Sequence, residues 1–160
     1  CIHPLSPPME TPPFLDETKT LFRSVSTHDF DTLADLCDDD FGIVDIDPKG
    51  GSVVIETRAE WEDWFHSLFD QLDAMDAETT TDILDYKALR RGELGYSVVD
   101  FRQNLTMGDT TAHFYCVATI IWKQTPDGWK ESRWHCSVIR VEPNGLPGLE
   151  HFEDEAPAAA

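Results

Sequence analysis

Apolar residues recur at the three- and four-residue spacing of an α-helix in three segments before residue 75. Pro13 opens the first segment, which runs to about Thr27, and Asp29 caps a short second one. Thr57 begins the third, with Glu60 at the spacing of a capping box. The pattern therefore predicts three helices in the first half of the chain.

Strand patterns follow, with apolar and polar residues alternating between turn signals. Two short strands are predicted at 42–45 and 53–55, and four longer ones at 79–89, 94–106, 111–124 and 129–141. The long strands are separated by the glycine-containing turns at 91–92, 107–109 and 126–128. Helices followed by a long antiparallel meander indicate an α+β fold whose helices pack on one face of a curved sheet of about six strands.

Composition limits the partners of this fold. The chain has 160 residues, 41% of them hydrophobic, which suffices for one domain with a packed core. Its 31 acidic and 12 basic residues give a net charge of −19, which repels nucleic acid and anionic membranes. No apolar run is long enough to span a bilayer. The cysteines and histidines lack zinc-ligand spacing, so we expect no metal and no cofactor.

Both termini differ in composition from the predicted domain at 13–142. Residues 1–12 are rich in proline and predict an extended arm, a tether or a remnant of cloning, and residues 143–160 predict a flexible tail. The four cysteines are typical of free, buried thiols in a reducing compartment, which favours a cytoplasmic location. The alternative is a lipid anchor on Cys1.

Three passages carry a family resemblance: residues 28–41, residues 46–51 with the helix after them, and residues 127–137, which read DGWKESRWHCS. In order and spacing they resemble the NTF2-like superfamily, and within it the SnoaL-like and kinase-association-domain branch. Arg133 stands where many relatives have a histidine. The resemblance implies a cone in which a sheet wraps the helices around a pocket, with dimerisation through the outer side of the sheet. It implies no single chemistry.

The last hairpin assigns side chains to the two faces of the sheet. A bulge at Gly128 would set Thr125 opposite Trp129 and Cys136 opposite Ala118. The apolar face then lines a pocket for an apolar or aromatic ligand, or else is ordinary core, and its residues are Phe114, Cys116, Trp122, Trp134 and Cys136, joined by Trp61, Trp64 and Phe65 of the third helix. The opposite, mixed face predicts a homodimer surface with His113, Tyr115, Arg133 and His135.

Candidate catalytic residues come from the preceding hairpin. A three-residue turn at 107–109 would set Asp100 opposite Cys116, so that Tyr96, Asp100 and Arg102 share the cavity face. Asp100 would then act as a base while Tyr96 or Arg102 polarises a carbonyl group. The alternative is an Asp100–Arg102 ion pair at the rim. A slip of one residue would replace the three by their neighbours at 99, 101 and 103.

Asp45, beside the turn at 47–51, is a further catalytic candidate near the mouth of the cone, or else a cap. Together these patterns predict a protein that binds a small organic molecule in a largely apolar pocket, with metal-free acid–base catalysis of the isomerase, cyclase or hydrolase type as an extension. The alternative is a non-catalytic domain for homo-oligomerisation or ligand sensing. The sequence does not decide whether the protein is an enzyme.

Overall fold

The computed structural model describes residues 11–46 and 51–152. Its three helices are α1 (Leu15–Ser26), α2 (Phe30–Asp35) and α3 (Arg58–Ala74). Its six strands are β1 (Cys37–Ile46), β2 (Ser52–Ile55), β3 (Ala77–Arg91), β4 (Leu94–Met107), β5 (Thr110–Thr125) and β6 (Gly128–Glu142), followed by a short 3-10 helix, Glu150–Phe152. The predicted order of elements is confirmed.

Side-chain caps fix where two of the helices begin. The Asp29 carboxylate accepts the backbone N–H of Thr32 at 3.2 Å before α2. The Thr57 hydroxyl accepts the N–H of Glu60 at 3.2 Å before α3. Each cap satisfies a donor that the first helical turn leaves without a partner, and both predicted caps are confirmed.

The six strands form one sheet in the order β2-β1-β6-β5-β4-β3. Neighbouring strands are antiparallel except β1 and β6, which run parallel. The sheet is open, because β2 and β3 lie at its two edges. This α+β architecture of three helices on a mixed six-stranded sheet confirms the predicted fold class.

The helices cover one face of the sheet, the inner face, and leave the opposite, outer face uncovered by any described element. Trp61 of α3 is 1% exposed, and Trp122 of β5 is fully buried. Phe14, just before α1, stacks on Trp122 with ring centroids 5.4 Å apart. No helix in the described ranges is long and apolar enough to cross a membrane.

The segment after β6 differs from the flexible tail that the sequence predicts. Leu146 is 2% exposed, and the side-chain amide of Asn144 donates to the Thr111 carbonyl oxygen at 2.9 Å. The Phe152 ring meets Phe114 edge-on at 6.1 Å. Residues 143–152 pack on the domain because burial of these apolar side chains offsets the entropy lost on ordering the segment. Residues 1–10 and 153–160 lie outside the described residues.

The anchoring of Phe14 generates a prediction at Gly95 of β4. A Cβ atom there would overlap the Phe14 ring and lie 2.7 Å from the Leu89 carbonyl oxygen. We expect Gly95→Ala to lower the free energy of unfolding by about 1–3 kcal/mol, because the packed ring and the strand must shift.

Urea denaturation measures this loss, and Gly42→Ala is the control. Its Cβ would meet only the flexible Arg133 side chain at 3.3 Å and the Ile55 carbonyl oxygen at 3.5 Å. A Gly95→Ala variant as stable as Gly42→Ala would contradict the tight packing.

Candidate functional site

A cavity of about 360 Å³ lies between the inner face of the sheet and helices α1 and α3. Its walls are mostly aromatic and aliphatic, and Leu149 and Phe152 of the C-terminal segment also contribute to them. The lining side chains that carry a carboxyl, hydroxyl or amide group are Asp45, Thr79, Gln103 and Glu131.

Seven of the eight predicted pocket residues line this cavity: Trp61, Trp64, Phe65, Phe114, Cys116, Trp134 and Cys136. The eighth, Trp122, faces inward but is fully buried beside Phe14, and its indole N–H donates to the Ser97 hydroxyl at 3.0 Å. The predicted pair Cys136–Ala118 is present in the sheet, and Trp134 pairs with Ile120. Ligand binding by these residues stays a prediction.

The predicted register of β4 is wrong by one residue. Met107 pairs with Thr110, so the hairpin has the two-residue loop Gly108–Asp109, and Gly108 has a φ of +60°. A positive φ at the first loop residue is typical of a type II′ hairpin turn, which needs no third residue. As a result Phe101, and not Asp100, pairs with Cys116.

In the observed register the three predicted catalytic residues lie on the outer face. Tyr96 is 42% exposed. Arg102 donates to the Asp82 carboxylate at 2.8 Å, and Asp100 pairs with Asp85 of β3. Their expected position on the cavity wall is therefore wrong, because strand alternation turns Phe101 and Gln103 inward instead. A catalytic role for the three residues stays an untested prediction.

Glu131 lines the cavity, and the sequence analysis missed it. Thr125 pairs with Gly128, so the last hairpin is tighter than predicted, and the bulge falls at Ser132, between the pairs Trp122–Glu131 and Ile121–Arg133. A bulge reverses the alternation of the strand. The available signal was the change of parity in β6, where the inward residues are odd-numbered up to Glu131 and even-numbered from Trp134 to Val138.

The Glu131 carboxyl group lies in an apolar environment and is 2% exposed. The Cys37 thiol donates to its Oε2 atom at 3.7 Å. Burial raises the pKa of Glu131 to about 8, although the thiol contact opposes part of that rise. Glu131 is therefore mainly an uncharged carboxylic acid at neutral pH.

Asp45 supplies the second carboxyl group of the cavity, near the end of β1. It accepts the indole N–H of Trp134 at 3.2 Å. Between Glu131 and Cys136, which feels the charge of Asp45, β6 advances about four residue steps, or about 13 Å. Asp45 therefore lies beside the part of β6 around Trp134 and Cys136, farther along the strand than Glu131.

The Cys136 thiol in the cavity wall is protonated. The pKa of Cys136 is raised by its hydrogen bond with Cys116, by burial and by the nearby charge of Asp45. A thiol is a poor nucleophile compared with its thiolate. This fits the sequence-based interpretation of the cysteines as free, buried thiols, since Cys136 is free and buried.

A sequence comparison identifies the family. The model of the SnoaL-like domain matches residues 18–141, which is more than half of the chain. The chain belongs to the SnoaL-like family. Among curated proteins none matches it.

Solved structures resemble this SnoaL-like domain in fold. A candidate dehydratase of the NTF2-like family from Streptomyces avermitilis shares 19% identity over 76% of this chain and 90% of its own, with a TM-score of 0.66. A candidate calcium/calmodulin-dependent protein kinase II association domain from Xanthomonas campestris shares 14% identity over 84% of this chain and 93% of its own, with a TM-score of 0.65. A type 2 hexachlorocyclohexane dehydrochlorinase shares 17% identity over 79% of this chain and 83% of its own, with a TM-score of 0.63. These likenesses show the NTF2-like fold.

The predicted dimer residues of the SnoaL-like domain lie on the outer face. The Nδ1 atom of His113 contacts the Asn104 amide oxygen at 2.6 Å. The Arg140 guanidinium lies 3.9 Å above the Tyr115 ring. Arg133 donates to the Asp40 carbonyl oxygen at 2.6 Å, and His135 is exposed. Their role in dimerisation stays a prediction.

Burial of Glu131 makes the stability of the SnoaL-like domain depend on pH. The unfolded carboxyl group ionises near 4.5 and the folded one near 8. Between these values the folded state binds more protons, so the free energy of unfolding falls as pH rises, by about 1.4 kcal/mol per unit. From pH 5.5 to 7.5 we expect the wild type to lose about 2–3 kcal/mol relative to Glu131→Gln.

Urea denaturation of both proteins at the two pH values measures this difference. Glu78→Gln, at an exposed position of β3, is the control and should change with pH as the wild type does. If the wild type and Glu131→Gln keep the same difference at both pH values, Glu131 is not buried as an uncharged acid.

Proposed function

We propose that this SnoaL-like protein binds a small, mostly apolar organic molecule in the central cavity and that a buried carboxyl group transfers protons to or from it. The observation that carries the proposal is the uncharged acid Glu131 in an aromatic wall of a cavity of about 360 Å³. That volume falls within the range of about 300–1,000 Å³ that is usual for small-molecule sites. A few polar groups in an apolar cavity fix a ligand's orientation.

Glu131 suits acid–base catalysis because its pKa lies close to neutral pH. A group with such a pKa both donates and accepts protons at a useful rate. Asp45 also lines the cavity, farther along β6 beside Trp134, so the two carboxyl groups would contact different atoms of one ligand. Each would then act as general acid or general base on the atom that it contacts.

The solved relatives support this class of reaction. The names dehydratase and dehydrochlorinase denote the loss of water and of hydrogen chloride from a molecule. Both reactions need a proton to move between the substrate and a side chain or solvent. We therefore extend the predicted isomerase, cyclase or hydrolase types to include elimination.

A homodimer through the outer face is a second proposal, compatible with the first. Ile139 is 67% exposed and Ile121 is 37% exposed on this face. Apolar side chains beside arginine and tyrosine are typical of protein interfaces. The association-domain relative supports an oligomer.

Filling the cavity tests the binding proposal. Val138 lines the cavity and its neighbour Ile139 is exposed. We expect Val138→Phe to weaken binding of the uncharged fluorescent probe prodan at least tenfold, because the added ring occupies the ligand's volume. Ile139→Phe, which adds the same ring on the outer face, should leave the dissociation constant within about twofold.

Fluorescence titration gives both constants, and circular dichroism shows that the variants fold. Equal affinity of the two variants would place the probe outside the cavity. The absence of prodan binding to the wild type would count against an apolar binding site.

A negative charge tests the outer face. We expect Tyr115→Asp to raise the dissociation constant of the dimer at least tenfold, because a buried interface disfavours an unpaired carboxylate. Light scattering after size-exclusion chromatography measures the mass at a series of concentrations. Leu84→Asp, at an exposed position of edge strand β3, should keep the dimer, and a monomeric wild type would overturn the proposal.

A further inference from the structure

The carboxyl groups that line the cavity have no basic residue beside them among the described lining residues. Among the described residues that line it, Asp45 and Glu131 carry carboxyl groups, and none is a lysine, arginine or histidine. Inside an apolar cavity a charged ligand needs an opposite charge to compensate for the hydration it loses. The wall can compensate a cation and has nothing to compensate an anion.

Two basic residues whose charges act on Cys37, the thiol in contact with Glu131, bind other groups. Arg58 donates to the carbonyl oxygens of Ala34 at 2.8 Å and Cys37 at 3.0 Å and forms an ion pair with Glu62. Lys130 donates to the Asp35 carbonyl oxygen. In the described part of the chain, the Glu131 side chain is left with the Cys37 thiol, which is a weak donor.

A second group in the cavity has an unmet hydrogen bond. Thr79 is one of the lining residues, and its buried Oγ1 atom has no hydrogen-bond partner within the described residues. A buried hydroxyl group without a partner is costly. A ligand N–H or O–H group would satisfy it. Thr79 therefore points independently to a ligand with hydrogen-bonding groups rather than to a hydrocarbon.

The walls between these groups favour a cation as well. Phe41, Trp61, Phe65 and Trp134 line the cavity, and aromatic faces attract ammonium groups. The net charge of −19 also raises the local concentration of cations around the protein.

We propose that the ligand of the cavity is an amphipathic amine, whose ammonium group pairs with the Glu131 carboxylate and whose apolar body packs on the aromatic walls. This inference rests on the proposed small-molecule function and names its ligand class. When the ammonium form binds, Glu131 releases its proton to solvent. When the free amine binds, the proton moves from Glu131 to the nitrogen, so both routes end in the same ion pair.

Three probes with one ring system test the charge preference. They are 2-naphthylmethylamine, 2-naphthalenemethanol and 2-naphthoic acid, which at neutral pH are a cation, a neutral molecule and an anion. We expect the wild type to bind the amine at least tenfold more tightly than the alcohol, with the acid weakest. Isothermal titration calorimetry measures the three dissociation constants.

Glu131→Gln tests the assigned partner. The variant should lose at least tenfold in amine affinity and keep alcohol affinity within about twofold, whereas the exposed control Glu78→Gln should bind all three probes as the wild type does. The wild-type comparison does not depend on how well the variant folds. An alcohol or acid that binds as tightly as the amine, or an unchanged amine affinity in Glu131→Gln, would overturn this inference and leave the proposed function standing. Binding of none of the three would count against the proposed function itself.

Discussion

The pairing of β5 with β6 is the constraint on which the rest of the site depends. A regular strand presents alternate side chains to one face. The bulge at Ser132 breaks that alternation, so that Glu131 and Trp134 both face the helices. Without it, either the carboxyl group or the indole would point outward. One irregularity in one strand thus sets an acid and an aromatic wall in the same cavity.

Burial of the Glu131 carboxyl group lowers the free energy of unfolding near neutral pH. The Asp45 carboxyl group differs, because it has a strong hydrogen-bond donor as its partner. Asp45 accepts a hydrogen bond from the Trp134 indole, which a carboxylate strengthens. Glu131 has a thiol contact and an apolar environment. The surrounding core must offset the cost of this acid, and Trp61 and Phe41, at 1% and 2% exposure, belong to it. Destabilising groups of this kind are typical of functional sites.

The sequence predicted the fold well because helices and strands depend on periodicity and caps, which are local. Asp29 and Thr57 were identified as caps from residue type and spacing alone, and both form the expected hydrogen bonds. Only part of the cavity wall was predictable from the sequence, because the register of the strands depends on turn geometry. A glycine at position 108 is compatible with a two-residue loop and with a three-residue loop. The three-residue loop would place Asp100 on the cavity wall, whereas the two-residue loop of the structure places Phe101 there.

The scarcity of basic residues in the chain is in line with the lack of a basic partner for Glu131 among the described residues that line the cavity. The chain has 12 lysines and arginines against 31 acids. Several described ones pair with acids away from the cavity: Arg102 with Asp82, and Arg140 with Glu142. Because none of the cavity's described lining residues is basic, Glu131 stays protonated until something else brings a positive charge. A cation that enters with an apolar body is the one kind of ligand that both the carboxyl group and the aromatic walls favour.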